Sequence, residues 1–339
     1  MPTWGEVLVE INETAQQLHA QGISVNPFDL VRRKYLGLVA AHTQRPAILY
    51  ATAWLSNPNA PASLVSVADD DMLGFMEAVH GLAGPNLDLI LHSPGGSASA
   101  AEQIVKYLRT KFDHIRIIVP HMAMSAATMI ASAADRILMG KHSFLGPIDP
   151  QLIMQTALGP RSVPAQAILE QFDRALRDGA DPAKLRVWAP MLTQYGPDLL
   201  VTCQNAVKLS EDLVSEWLKS YMFRGQTDAE AKGNEIAHWL SDHSAFKTHA
   251  RPISRDELLG RGLSGIDALE QDQTAQDLFL SVHHATAHTF TNTPAVKIIE
   301  NNLGKAYVRM MNVLQPVQII QAPIPVQPAA PAAPAAPPA

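Results

Sequence analysis

A single cysteine, Cys203, is all the thiol that the 339-residue chain carries. An intramolecular disulfide is excluded, and so is a zinc site of four thiolates. Basic charge is also short: 26 Lys and Arg stand against 32 Asp and Glu, a net charge of −6. A nucleic-acid surface would need a clustered basic stripe, so nucleic acid is not an expected partner. No window reaches the roughly eighteen apolar residues that a membrane span needs. The most apolar stretch, Ala123 to Ala134, is short and contains Ser125, Thr128 and Ser132. The opening segment MPTWGEVLVEINETAQQ has acids early and no basic stretch followed by an apolar run. No export signal is therefore expected, and the location is read as cytoplasmic.

Apolar types make up 47% of the residues and charged types 17%, an ordinary composition with a large capacity for burial. The length allows one large domain or two modest ones. The C-terminus stands apart. From Gln315 to Ala339, 8 of the chain's 25 prolines lie among Ala, Val, Ile and Gln. Proline this dense blocks helices and sheet ladders, so residues 313–339 are expected to be a disordered tail. The PxxP spacings Pro331–Pro334 and Pro334–Pro337 offer the other reading, a ligand for a partner.

The middle of the chain has the strongest pattern. Leu87 to Leu91 (LDLIL) is a short apolar run, broken by Pro94-Gly95-Gly96. Ala100 to Phe112 has helical spacing, and Ile115 to Val119 (IRIIV) is a continuous β-branched run of the kind covered on both faces of a sheet. Ala123 to Ala134 reads as a helix, and Ile137 to Met139 and Phe144 to Ile148 as short strands. Upstream, Ala47 to Ala53 is an expected strand, followed by a helix over Asp70 to Leu82. This alternation implies an α/β fold with a mostly parallel sheet and crossover helices. After Pro150 long helices are expected, among them Ala165 to Arg177 and Leu199 to Phe223. Ser254 with Glu257 has the spacing of a capping box.

Two segments could carry chemistry. In Ser93-Pro94-Gly95-Gly96, successive glycines let the backbone take positive φ and turn N–H groups toward a developing oxyanion, or simply make a tight turn. Ser125 follows a strand and opens a helix, where unpaired N–H groups and the positive dipole end stabilise negative charge. It fits a relaxed nucleophile elbow, or equally an N-cap. In a parallel sheet both sites fall at the carboxyl edge of adjacent strands, where ligand sites gather. Other patterns carry less. Gly260-x-Gly262-x-x-Gly265 matches a dinucleotide fingerprint in letters only, because it follows a helix. His283, His284 and His288 could clip a metal, but without H-E-x-x-H they read as a solvated helix face. Cys203, Trp188 and Trp239 read as packing residues.

The segments LILHSPGGSASAAEQIVKYLR and MAMSAATMIASAADRILMGKHSFLGPIDPQ resemble the serine dehydrogenase proteinase family, distantly related to the ClpP-like proteases and signal peptide peptidase A within the ClpP/crotonase fold. The resemblance is strong from Ile48 to Gln151 and weaker to Leu269; HARPISRDELLGRGL is similar to that family's closing segment. It implies a serine hydrolase with a Ser, Asp, His triad in that chain order. By motif, Ser125 would be the nucleophile, Asp149 the orienting carboxylate, His249 the general base, and Gly95 and Gly96 the oxyanion donors. Asp149 precedes Pro150 and could instead stabilise a turn. His249 could be an ordinary polar histidine, with His243 as its closest substitute. The wider group also uses Ser–Lys dyads, for which Lys141 and Lys184 are the candidates. Ala127 stands where relatives often have Gly.

The resulting expectation is a ClpP/crotonase-like α/β protein with four parts: an N-terminal helical segment (1–44), a catalytic core (45–151), a helical region that completes the domain and forms an oligomer interface (152–312), and the tail (313–339). Expected partners are a peptide or protein substrate and further copies of the chain. The chemistry requires no cofactor, metal or nucleotide. The fold kin suggest an ATP-driven unfoldase as a further partner, which nothing in the sequence shows. Two other functions fit the same fold: an acyl-CoA enzyme of crotonase type that needs no nucleophilic serine, and a non-enzymatic scaffold.

Overall fold

The structure is a computed structural model, and it describes residues 3–156 and 159–311. The proline-rich tail and its PxxP spacings lie outside the described residues.

Helix α1 (Trp4–Ala20) starts at a capping box in which Thr3 and Glu6 satisfy each other's backbone amides. Helix α2 (Pro27–Thr43) starts at Asn26, whose side chain accepts from Phe28 N–H, with Pro27 at the first position. Strand β1 (Ala47–Thr52), short helix α3 (Ala62–Val65) and helix α4 (Asp71–Val79) follow. The core then alternates: β2 (Asn86–His92), α5 (Ala98–Arg109), β3 (His114–Val119), β4 (Met122–Ala123), α6 (Ala126–Ser132), β5 (Arg136–Met139) and β6 (Phe144–Leu145). Beyond it come β7 (Gln151–Thr156), β8 (Gly159–Pro164), α7 (Ala165–Asp178), α8 (Pro182–Leu192), α9 (Leu199–Ser220), α10 (Ala229–Ser241) and α11 (His243–Phe246). The described chain ends with β9 (Ile253–Ser254), α12 (Arg255–Gly260), β10 (Ile266–Ala268), α13 (Gln273–Asn292), β11 (Ala295–Asn301) and β12 (Ala306–Met310).

Seven strands form the central sheet in the order β10-β5-β3-β2-β1-β11-β12. From β10 to β1 every pairing is parallel; β11 and β12 add antiparallel neighbours beyond β1. Helices cover both faces, which is why AILYAT and LDLIL are apolar without alternation. Leu87, Leu89 and Leu91 point to the face under α4, α5, α6, α9 and α10, while Ile90 points to the face under α1, α2 and α13. The expected α/β fold with a mostly parallel sheet is the one observed.

Three local expectations are corrected. The region 152–312 is not helical throughout. It opens with the antiparallel pair β7–β8 and closes with β11 and β12 of the central sheet. β11 escapes a search for apolar runs because Lys297, Glu300 and Asn301 interrupt it, yet all three are buried and bonded to partners inside. The strand expected over Phe144 to Ile148 stops at Leu145, where Gly146 and Pro147 interrupt the ladder. Ser254 does cap α12 by accepting from Glu257 N–H at 3.3 Å, but the Glu257 carboxylate faces Arg251 at 3.2 Å rather than closing a box.

Candidate active site

At the carboxyl edge of the parallel strands, β2 runs into Ser93-Pro94-Gly95-Gly96-Ser97. Gly95 has φ 90° and Gly96 φ 154°. A Cβ on Gly95 would lie 2.4 Å from the Met124 carbonyl oxygen and 2.6 Å from Ser125 Cβ, so only glycine allows this turn to lie against the serine. Segment 66–68 clasps the turn from the other side: Val67 N–H donates to Gly95 O at 2.8 Å and Ser97 N–H to Val67 O at 2.9 Å.

Ser125 connects β4 to α6 with φ 52° and ψ −122°, a conformation that non-glycine residues rarely hold. Such a residue costs of the order of 1–3 kcal/mol and persists only where neighbours over-determine it. Here Met124 N–H donates to Ser93 O at 3.0 Å, Met129 N–H to Ser125 O at 3.0 Å, and Thr128 Oγ1 to Ala123 O at 2.8 Å. The Ser125 hydroxyl makes no cap bond to α6, so the N-cap reading falls. Ser125 lines a cleft of about 470 Å³ together with Gly95, Gly96, Ala126, Gln151 and His249.

Asp149 is 1% exposed and collects three donors. His249 Nδ1 lies 2.6 Å from Oδ1; His243 Nδ1 lies 3.0 Å and Gln151 Nε2 2.8 Å from Oδ2. An ionised carboxylate can only accept, so both imidazoles present Nδ1–H to it and keep the lone pair on Nε2. His249 is the one that lines the cleft with Ser125. Among the described residues no hydrogen bond joins Ser125 to His249; they meet across the cleft. A small sheet, β4-β6-β9, keeps the three in register. Ser125 follows β4, Asp149 follows β6, and His249 precedes β9.

The expected oxyanion donors need one revision. The Gly95 N–H donates to the buried Ser93 Oγ at 3.2 Å, because the tight turn directs it inward. Among the described residues, no acceptor pairs with the Gly96 or the Ala126 amide, and both residues line the cleft. The sequence reading missed Ala126 because an alanine offers only its backbone; its position directly after a strained serine was the available signal. Gln151 was quoted in the motif but nothing in its letters marks it as a partner of Asp149.

Neither alternative lysine lines the cleft. Lys141 is exposed beside Glu270, which accepts its backbone N–H at 2.8 Å. Lys184 starts α8 and pairs with Asp178 at 3.1 Å on the surface. Both sit in polar surroundings, so neither is desolvated as a lysine base requires.

The α13 histidines do not form a solvated face. His288 is buried, its Nε2–H donating to the Trp4 carbonyl oxygen at 3.0 Å, as its ring stacks at a tilt on Trp4. His283 turns inward to His92 and His121, with ring centroids 5.0 and 5.9 Å away. Burial, and then the nearby His92, push His283 well below the ordinary histidine range; burial, and then His121, push His92 down to about 4. Among the described residues no group of three His, Cys, Asp or Glu side chains could hold a metal ion. No described helix is long and apolar enough to cross a membrane.

Residues 78–268 match the model of a family described as ClpP-like SDH-type serine proteinase. The chain is 33% identical over 177 residues to Uncharacterized protein MJ1495 of Methanocaldococcus jannaschii, covering 52% of this chain and 51% of that one. It is 43% identical over 177 residues to Uncharacterized protein MJ0137 of the same organism, covering 52% of each. The chain spans about half the length of these curated relatives. Among solved structures, a serine-to-alanine mutant of 1510-N membrane-bound stomatin-specific protease is similar at 16% identity and a TM-score of 0.33, over 56% of this chain and 67% of that one. A lysine-to-alanine mutant of the same protease with a substrate peptide gives 16% and 0.32, over 57% and 64%.

Proposed function

The chain belongs to the ClpP-like SDH-type serine proteinase family, and on that premise we propose that it hydrolyses peptide bonds through an acyl-enzyme on Ser125. One observation carries the reading. A serine forced to φ 52° lines the same cleft as a histidine whose other ring nitrogen is held by a buried carboxylate.

The chemistry follows from those groups. His249 Nε2 takes the hydroxyl proton as Ser125 Oγ attacks the peptide carbonyl carbon. Negative charge develops on the carbonyl oxygen, where the Gly96 and Ala126 amides meet it; Gly95 contributes the room that lets the turn approach. Asp149 fixes the His249 tautomer and stabilises the imidazolium. His249 then gives its proton to the departing amine. Water, deprotonated by the same imidazole, attacks the acyl carbon and releases Ser125. The substrate is an extended peptide lying beside the Gly95-Gly96 turn, and two cavities meet at His249 to receive it. The second, of about 420 Å³, is lined by Trp54, Leu55, Met122 and Met124 and suits an apolar side chain.

A serine-reactive fluorophosphonate tests this. We expect covalent labelling of the native chain and its loss in Ser125→Ala. Absence of labelling together with saturable coenzyme A binding would assign the fold to acyl-thioester chemistry instead.

A further inference from the structure

Beneath the diglycine turn lies an ion pair that the chemistry above leaves unused. Lys297 of β11 and Asp71 of α4 are both fully buried, with Nζ 2.5 Å from Oδ1. Tyr50 of β1, equally buried, donates its hydroxyl to Asp71 Oδ2 at 2.6 Å. Taking both charges out of water costs several kcal/mol per ion, and apolar residues of the same volume would usually do as well for stability. The pair therefore calls for another role, and its remaining hydrogen bonds indicate one.

We infer that Lys297 and Asp71 are positioning residues that set the Gly96 amide at the place where the oxyanion forms. Lys297 Nζ donates a second hydrogen bond, to the Ser66 carbonyl oxygen at 2.7 Å. Asp71 Oδ2 accepts from Ala68 N–H at 3.0 Å. The residue between those two pinned points is Val67, whose N–H and carbonyl clasp Gly95 O and Ser97 N–H on either side of Gly96. A Cβ on Gly96 would lie 2.4 Å from Val67 O, so the turn rests directly on this clasp. The other glycine is held within its own turn, its N–H donating to Ser93 Oγ at 3.2 Å. One buried charge pair thus pins Ser66–Ala68, the segment whose Val67 clasps the turn on either side of Gly96. Displacing an oxyanion donor by a fraction of an ångström weakens it in the transition state more than in the bound substrate. Lys297, Asp71, Tyr50 and Ser66 all lie outside residues 78–268, the stretch that matches the family.

The inference rests on the peptidase reading, and the test separates the two. Tyr50→Phe removes one hydroxyl and keeps the ring; the double variant Lys297→Met with Asp71→Asn removes both charges without leaving either unpaired. In the full chain we expect each to lower kcat on a peptide substrate about tenfold or more while KM stays within about twofold and the melting temperature does not fall in proportion. Lys297→Met alone leaves a buried carboxylate unpaired and is used only as a stability control. Amide exchange supplies a readout that needs no activity: the Val67 and Ser97 amides should exchange about tenfold faster or more in both variants. If kcat and those exchange rates stay at native values in both, the inference is overturned. If the native chain neither cleaves peptide nor labels at Ser125, the peptidase reading fails, and exchange at Val67 and Ser97 still decides whether the pair holds the turn.

Discussion

Asp149 has two imidazoles to orient and only one of them reaches the cleft, so the two histidines should respond differently to substitution. His249→Ala removes the proposed base and is expected to cut fluorophosphonate labelling and peptide turnover by about a thousandfold or more. His243→Ala removes only one donor to a carboxylate that keeps His249 and Gln151, and its cost should stay within about tenfold. Asp149→Asn reverses the logic of the hydrogen bond: an amide that donates would favour the wrong His249 tautomer, and a loss of about 10³–10⁴ in kcat is expected with the fold intact. Equal effects at both histidines would show that His249 is not distinguished as the base. The placement of Ser125 and the diglycine turn at strand ends could be read from the sequence because it is local: a strand, a break, a small residue with freedom of φ. Which histidine shares the cleft with Ser125, and which of two glycine amides is already paired, could not. Those facts depend on hydrogen bonds made by Asp149 and Ser93 to residues up to 100 positions away.

Three elements meet at a histidine cluster close behind the site. His92 ends β2, His121 precedes β4, and His283 projects from α13, with His142 and His284 also near enough to act on His283. The Met122 carbonyl, 3.0 Å from His92 Nδ1, belongs to the strand that leads to Ser125. In the unfolded chain these rings titrate near 6.5, whereas folded His92 titrates near 4. Between those values the unfolded chain binds more protons, so stability is complete above about pH 6.5 and is lost as pH falls toward 4. The His92 shift alone corresponds to about 3 kcal/mol across that window. The melting temperature should fall steeply between pH 6.5 and 4, and His283→Gln, neutral throughout, should flatten the fall. A melting temperature that is level over this range would refute the account. Sequence inspection treated the α13 histidines as a solvated face, since an i, i+4 spacing gives the side of a helix and not what packs against it. β11 was missed for a related reason: its buried Lys297 and Glu300 look like surface residues until Asp71 and Arg32 are seen opposite them.

At the scale of the molecule, the order of strands is not the order of the chain. The parallel strands β1, β2, β3 and β5 come from neighbouring units and were readable because each strand–helix step announces itself in the local pattern, whereas β10, paired with β5 across more than 120 residues, was not. Then β11 returns across more than 200 residues to lie beside β1, with β12 beyond it, which no local pattern could reveal. Removing residues 293–339 would expose β1 as an apolar edge and strand Asp71 without Lys297. We expect such a chain to aggregate and to take up no fluorophosphonate, as measured by centrifugation and labelling; a soluble, labelled product would show that β11 is dispensable.

That distant return has a consequence in time. A polypeptide emerges from the ribosome from its first residue onward, and β2, α5 and the serine segment are available long before β11 exists. Until the late strands arrive, Asp71 has no cation and the clasp around the glycines has lost its anchor. On the proposed reading, every nascent molecule would stay inert through most of its own synthesis, and Ser125 would start work only once the whole domain had closed.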